Sequence, residues 1–123
     1  MPRILIVDDE PEIAELFGLE FEDAGFEVVI AHNGKQALEL VKKGGFDFVV
    51  SDVRMPGGDG VEMLRSLRQW AGPQPPVAFV TGFADIPEGD AIKEGAARVF
   101  TKPIDVQDVV KFVQECLQRS SAA

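Results

Sequence analysis

Phe46, Phe48, Val49 and Val50 form an apolar run with no consistent polar face, and the run stops at a single carboxylate, Asp52. A strand that is apolar on both faces belongs in a sheet covered on both sides, which means a parallel sheet with helical crossovers. Pro56, Gly57, Gly58 and Gly60 follow and end any regular element. Asp52 is therefore expected at the carboxyl end of a buried strand, the edge at which open α/β sheets bind ligands.

The rest of the chain alternates in the same way. Arg3–Val7 is a short β-rich run ended by Asp8, Asp9 and Glu10, and Pro11 suits the first turn of a helix. Ile13, Leu16, Phe17, Phe21 and Ala24 recur at helical spacing, with Glu20 the polar exception, and Gly25 is a stop. Glu27–Ala31 is a second strand. Asn33-Gly34 is a strong hairpin signal between strands, but Lys35–Lys43 has helical periodicity, so Asn33 is read as an N-cap. Gly44 and Gly45 close that helix before the central strand. Val61, Met63, Leu64, Leu67 and Arg68 predict a third helix ending near Trp70. Val77–Val80 is a fourth strand with Thr81 and Gly82 at its end, residues 86–94 are a fourth helix, and Arg98–Thr101 is a fifth strand ended by Lys102 and Pro103. Asp105–Arg119 is the clearest helix, with Val106, Val109, Val110, Val113 and Leu117 as its apolar stripe and Asp105 as its cap. The expected fold class is α/β, a (βα)5 doubly wound parallel five-stranded sheet, with one domain over residues 1–119 and a tail or linker start over 120–123.

At 123 residues the chain buries roughly two-thirds of its unfolded surface, enough for one core without metal or disulfide support. Cys116 is the single cysteine, so no internal disulfide forms, which fits a reducing compartment. A net charge of -9 argues against direct nucleic-acid binding, which needs Lys/Arg patches. No apolar run approaches the ~20 residues needed to span a bilayer, and residues 1–3 lead straight into a strand. The expectation is a cytoplasmic protein with no membrane association.

In such a fold Asp8, Asp9 and Asp52 converge on one sheet edge. Bare, they repel, which should raise the proton affinity of at least one. A divalent cation relieves the repulsion, and an all-oxygen donor set suits Mg2+. Zinc is not supported, because His32 is the only histidine and Cys116 lies far along the chain. Lys102 adds a point charge suited to phosphate and Thr81 a hydroxyl donor. Together these groups describe a site for phosphoryl transfer to Asp52.

Asp8-Asp9 after the first strand, Asp52-x-x-Met55-Pro56-x-x-Asp59-Gly60, Thr81-Gly82 and Phe100-x-Lys102-Pro103 resemble the receiver domain of two-component response regulators over essentially the whole chain. The resemblance implies a flavodoxin-like strand order, 2-1-3-4-5. It implies that Asp52 is the phosphoacceptor, served by a histidine kinase or phosphotransfer protein. It implies that Asp9 ligates Mg2+ directly, Asp8 acts mainly through water, and the backbone carbonyl of Arg54 is a further ligand. Lys102 would pair with an acyl-phosphate oxygen. Thr81 would move to bond another, with Phe100 turning inward as the aromatic switch. The face made by the fourth helix, fifth strand and last helix would signal to a downstream effector domain or protein, or mediate a phosphorylation-dependent homodimer. Such a domain is a switch that catalyses only its own phosphorylation and dephosphorylation. Arg54 and Phe83 fall at positions that tune dephosphorylation in the family, and their bulk predicts a slow loss of the phosphoryl group.

Plainer readings stand beside these. Asp8-Asp9-Glu10 also suits a solvated turn at a helix N-terminus, and Asp52 a turn-initiating residue. Thr81 also suits an ordinary strand-end hydroxyl and Phe100 plain core. Asp59 shapes the loop or caps the third helix, His32 reads as a surface residue, and Cys116 as a small buried hydrophobe. Pro87 and Gly89 weaken the fourth helix, Gly89 by about 1 kcal/mol relative to Ala. A haloacid-dehalogenase-like aspartate phosphatase would need Asp-x-Asp, and Asp52 is followed by Val53-Arg54. A flavodoxin-like FMN carrier would need a hydroxyl-rich phosphate loop where Asp8-Asp9-Glu10-Pro11 stands. A phosphorylation-independent scaffold would not need the complete acid, threonine and lysine set.

Overall fold

The alternation seen in the sequence becomes, in order, β1 (Arg3–Val7), α1 (Pro11–Asp23), β2 (Glu27–Ala31), α2 (Gly34–Lys43), β3 (Phe48–Asp52), α3 (Gly60–Gln69), β4 (Val77–Thr81), β5 (Arg98–Thr101) and a C-terminal helix, α4 (Val106–Ser121). The structure, a computed structural model, describes residues 1–53, 60–72, 74–81, 93, 95–101 and 104–121. All strand pairs are parallel, and the sheet order is β2-β1-β3-β4-β5. The chain folds as the α/β class expected, with four helices among the described residues. Of the helix expected over 86–94 only Lys93 is among them, so Pro87 and Gly89 lie outside.

Period-two alternation along the strands sorts the core into two halves. Leu5, Val7, Val49, Val77, Phe79 and Val99 face α2 and α3, where Ala37, Val41, Met63, Leu64 and Leu67 meet them. Ile4, Ile6, Phe48, Val50, Ala78, Val80 and Phe100 face the other way, against Ala14, Phe17 and Phe21 of α1 and Val109, Val110 and Val113 of the C-terminal helix. Both faces of the central strands are buried, which is why their sequences carry no polar stripe.

Local chemistry fixes the helix ends. The Asn33 side chain accepts from the Gln36 amide at 2.8 Å, and the Gln36 side-chain oxygen accepts from the His32 amide at 2.9 Å. This reciprocal arrangement resolves Asn33-Gly34 as a helix start. Asp105 accepts from the Gln107 amide at 2.9 Å and caps the last helix, which runs to Ser121, past the Arg119 expected. Gly25 and Gly44 end α1 and α2 with φ of 93° and 89°, a backbone region that glycine enters without steric cost.

Phe46 departs from expectation, because β3 begins only at Phe48. Asp47 holds the preceding chain to the start of β1: its carboxylate accepts from the Arg3 amide at 2.8 Å. The Arg3 guanidinium then lies 4.6 Å from the centre of the Phe46 ring, a cation–π cover at the end of the sheet. On α1, Leu16 and Leu19 stand half exposed, at 50% and 55%, while Gly18 is buried in their stead. Among the described residues no helix is long and apolar enough to cross a membrane.

Candidate functional site

With β1 and β3 adjacent, the chain leaves β1 toward β2 and leaves β3 toward β4, so the connections diverge at that pair. Such a divergence opens a crevice at the carboxyl ends of the two strands. Val7 pairs with Ser51, so Asp8 and Asp52 are the next residues in register. Both continue the parity of Ile4, Ile6, Phe48 and Val50, and both line one small cavity of about 10 Å3 floored by Ile6, Phe17, Val50 and Val80. That space admits at most a single water.

Asp8 is 7% exposed, and its Oδ1 accepts from the Glu10 amide at 2.9 Å, which turns the chain into α1. Asp9 is half-buried and Glu10 exposed. Carboxylate oxygens of Asp8, Asp9 and Glu10 lie within 4.8 Å of one another. Oxygen-only donors of one charge, one of them buried, fit a hard divalent cation and not a thiophilic one.

Asp52 is half-buried, which leaves its carboxylate within reach of a second reactant. Its Oδ1 accepts from the Val53 amide at 2.7 Å, and its main-chain carbonyl accepts from the buried Ser51 hydroxyl at 2.8 Å. The Gly60 amide donates to the Val53 carbonyl at 2.8 Å and brings α3 against this turn. A Cβ at Gly60 would lie 2.4 Å from the Asp52 carbonyl oxygen, so only glycine fits this approach.

Thr81 is the last residue of β4, buried, and follows Val80, the register partner of Asp52. On β5, Phe100 is buried with its ring edge-on to Phe112 at 5.7 Å and its face under the Arg98 guanidinium at 4.7 Å. The structure thus sets Asp8 and Asp52 on one cavity, clusters the Asp9 and Glu10 carboxylates with that of Asp8, and places Thr81 at the end of the neighbouring strand. Phe100 sits in register with Val80, two strands away from Asp52. Lys102, Arg54, Phe83, Asp59 and Gly82 lie outside the described residues.

Three neighbours of the site make contacts that the sequence does not show. Ser51 and Gly60 meet the Asp52 carbonyl. His32, read as a plain surface residue, places its Nδ1 at 3.3 Å from the main-chain carbonyl of Asp8. A carbonyl only accepts, so the ring nitrogen donates. The signal available was strand register: Val7 pairs with Ala31, which sets His32 beside Asp8.

A family model described as the response regulator receiver domain matches residues 4–114. The chain is 36% identical over 119 residues to the transcriptional regulatory protein YkoG of Bacillus subtilis, covering 96% of this chain and 52% of that one. It is 34% identical over 117 residues to the response regulator protein PilR of Pseudomonas aeruginosa, covering 94% of this chain and 26% of that one. It therefore spans about a quarter to a half of the length of these curated relatives. Among solved structures, the receiver domain of the Francisella response regulator 1452 superimposes with a TM-score of 0.90 at 29% identity, covering 98% of this chain and 99% of that one. The response regulator TrrA of Thermotoga maritima, solved in complex with Mg(2+)-BeF, superimposes with a TM-score of 0.83 at 30% identity, covering 94% and 98%. Built on a five-stranded parallel sheet with its acidic residues at the β1–β3 divergence, the chain belongs to the response regulator receiver domain family.

Proposed function

We propose that Asp52 is the phosphoacceptor of this receiver domain. A carboxylate oxygen of Asp52 attacks the phosphorus of a phosphohistidine on a histidine kinase or phosphotransfer protein, and the phosphorus–nitrogen bond breaks. The observation that carries this reading is the shared cavity of Asp8 and Asp52 at the β1–β3 divergence, with the Asp8, Asp9 and Glu10 carboxylates clustered beside it. Mg2+, held by Asp8, Asp9, Asp52 and the Arg54 carbonyl, would supply the positive charge that lets an anionic phosphoryl group approach. Burial of Asp8 and the Asp52–Val53 bond fix the acids before the partner arrives. Lys102 pairs with one phosphoryl oxygen and Thr81 donates to another.

The added charge of about -1.5 to -2 and three acceptor oxygens then bias a two-state packing that includes Thr81 and Phe100. The surface around β5 and the C-terminal helix relays the change to an effector domain or protein, or to a second copy. The domain catalyses only its own phosphorylation and dephosphorylation, slowly in the second case because of Arg54 and Phe83. The receiver domain spans residues 1–119, and the protein works in the cytoplasm.

Beryllofluoride with Mg2+ mimics an aspartyl phosphate and tests the reading without a kinase. It should raise the melting temperature of the wild type above that with Mg2+ alone and leave the Asp52→Asn variant unmoved. An equal shift in both proteins, or none in the wild type, contradicts the assignment.

A further inference from the structure

We infer that His32 is a positioning residue for the acidic cluster, holding the β1–α1 turn through the main-chain carbonyl of Asp8. The inference rests on the reading of Asp8, Asp9 and Asp52 as the Mg2+ site. Its basis is a continuous chain of hydrogen bonds from α2 to that turn. Asn33 Oδ1 accepts from the Gln36 amide at 2.8 Å, Gln36 Oε1 accepts from the His32 amide at 2.9 Å, and the His32 ring reaches the Asp8 carbonyl oxygen with Nδ1 at 3.3 Å. The capping pair does more than start a helix: it fixes the backbone from which the imidazole projects.

The held carbonyl matters because it adds a tie to β2 beside the local bonds of the turn, the Glu10 amide on Asp8 Oδ1 and the Ala14 amide on the Glu10 carbonyl. The Asp8 amide donates to the Ala31 carbonyl at 3.1 Å, so the amide side of this residue is tied to β2 by the sheet itself. The carbonyl side leads into Asp9 and Glu10, where the strand has ended and no ladder partner continues. His32 extends the β2 restraint by one residue past the last strand pair, Val7 with Ala31. With both sides of Asp8 tied to β2, its carboxylate and the following carboxylates are kept close despite their mutual repulsion. That is preorganisation of like charges, which otherwise spread apart in the metal-free protein.

The geometry also defines what can replace the residue. The bond uses Nδ1, the ring atom attached to Cγ, and an asparagine amide nitrogen occupies the same topological position. Asparagine can therefore donate to the same carbonyl, whereas alanine cannot. The ring is exposed, so neither substitution opens a cavity in the core.

The test compares wild type, His32→Ala and His32→Asn. Amide hydrogen exchange without metal reads the turn directly, because the Glu10 amide is bonded to Asp8 Oδ1. His32→Ala should exchange faster at Glu10, while the core amides of β1 and β3 stay as protected as in the wild type. Mg2+ titrations followed by calorimetry should show an affinity about fivefold weaker in His32→Ala, the worth of one net hydrogen bond. His32→Asn should stay within about twofold of wild type. Phosphoryl uptake from acetyl phosphate should be restored in His32→Ala by raising Mg2+, an effect on the metal dependence and not on the saturated rate. Unchanged exchange and affinity in His32→Ala overturn the inference, as does equal weakening in the alanine and asparagine variants. A wild type that binds no Mg2+ overturns the metal reading itself and this inference with it.

Discussion

Replacing Gly60 by alanine inserts one methyl group at the junction between the proposed phosphoacceptor strand and α3. The new Cβ would lie 2.4 Å from the Asp52 carbonyl oxygen, 2.8 Å from Phe79 Cε1 and 3.2 Å from the Ser51 hydroxyl oxygen. The first of these is backbone of a central strand and cannot swing aside, and Phe79 is fully buried. Overpacking of this kind costs about 1–3 kcal/mol. Alanine is the better helix former by up to about 1 kcal/mol, but Gly60 is the first residue of α3, so little of that gain applies. A net loss of about 1–2 kcal/mol lowers the melting temperature by about 4–8 °C in a domain of this size. Gly18→Ala is the matched control. Its Cβ would meet Val28 and Ile30 side-chain atoms at 3.5 and 3.6 Å, ordinary contact distances. It lies inside α1, so the substitution should stabilise by about 0.5–1 kcal/mol. Thermal unfolding followed by circular dichroism compares the pair. A Gly60→Ala protein that melts at or above wild type, or a Gly18→Ala protein that falls as far, refutes the packing argument. The same Gly60→Ala protein should take up phosphoryl from acetyl phosphate more slowly than wild type under conditions where it is fully folded, because the Asp52 main chain must move to admit the methyl.

Further expectations follow from individual contacts. Asn33→Ala should cost about 1 kcal/mol by removing the α2 cap, with Asn33→Asp recovering most of it in a denaturant titration. Leu64→Ala, at a fully buried position, should cost about 2–5 kcal/mol, and a smaller loss would mean that the α3 side of the core collapses around the gap. Arg98→Ala removes a guanidinium stacked 4.7 Å from Phe100 and 5.3 Å from Phe112; equilibrium unfolding should show a loss of about 1 kcal/mol. Mg2+ at a hundred times its dissociation constant should stabilise the wild type by about 2.7 kcal/mol, because the unfolded chain has no assembled site. Asp9→Ala should lose most of that gain, and an unchanged melting temperature in wild-type protein at millimolar Mg2+ contradicts the metal site.

The strands were legible because their burial on both faces leaves no polar stripe, as at Val49, Val50 and Val77–Val80. The helix starts were legible where a side chain caps them, as at Asn33 and Asp105. The hairpin signal of Asn33-Gly34 gave way because Gln36 and the apolar spacing of α2 support a helix. Phe46 reads as part of β3 on hydrophobicity alone; its true partner, Arg3, is remote in sequence and reaches it only once the strands pair. Leu16 fits the apolar spacing of α1 yet is half exposed, because Gly18 packs against β2 and rotates the buried face. At the site, Asp8 and Asp52 could be set on one sheet edge from strand ends. The contacts that hold them could not, since the meetings of Gly60 with the Asp52 carbonyl and of His32 with the Asp8 carbonyl depend on three-dimensional register.

The central claim is that Asp52 accepts a phosphoryl group, and intact mass after incubation with acetyl phosphate and Mg2+ tests it most directly. Wild type should gain one phosphoryl group, released by hydroxylamine as an acyl phosphate is, and Asp52→Asn should gain none. A hydroxylamine-resistant adduct, or the same adduct on Asp52→Asn, contradicts the assignment.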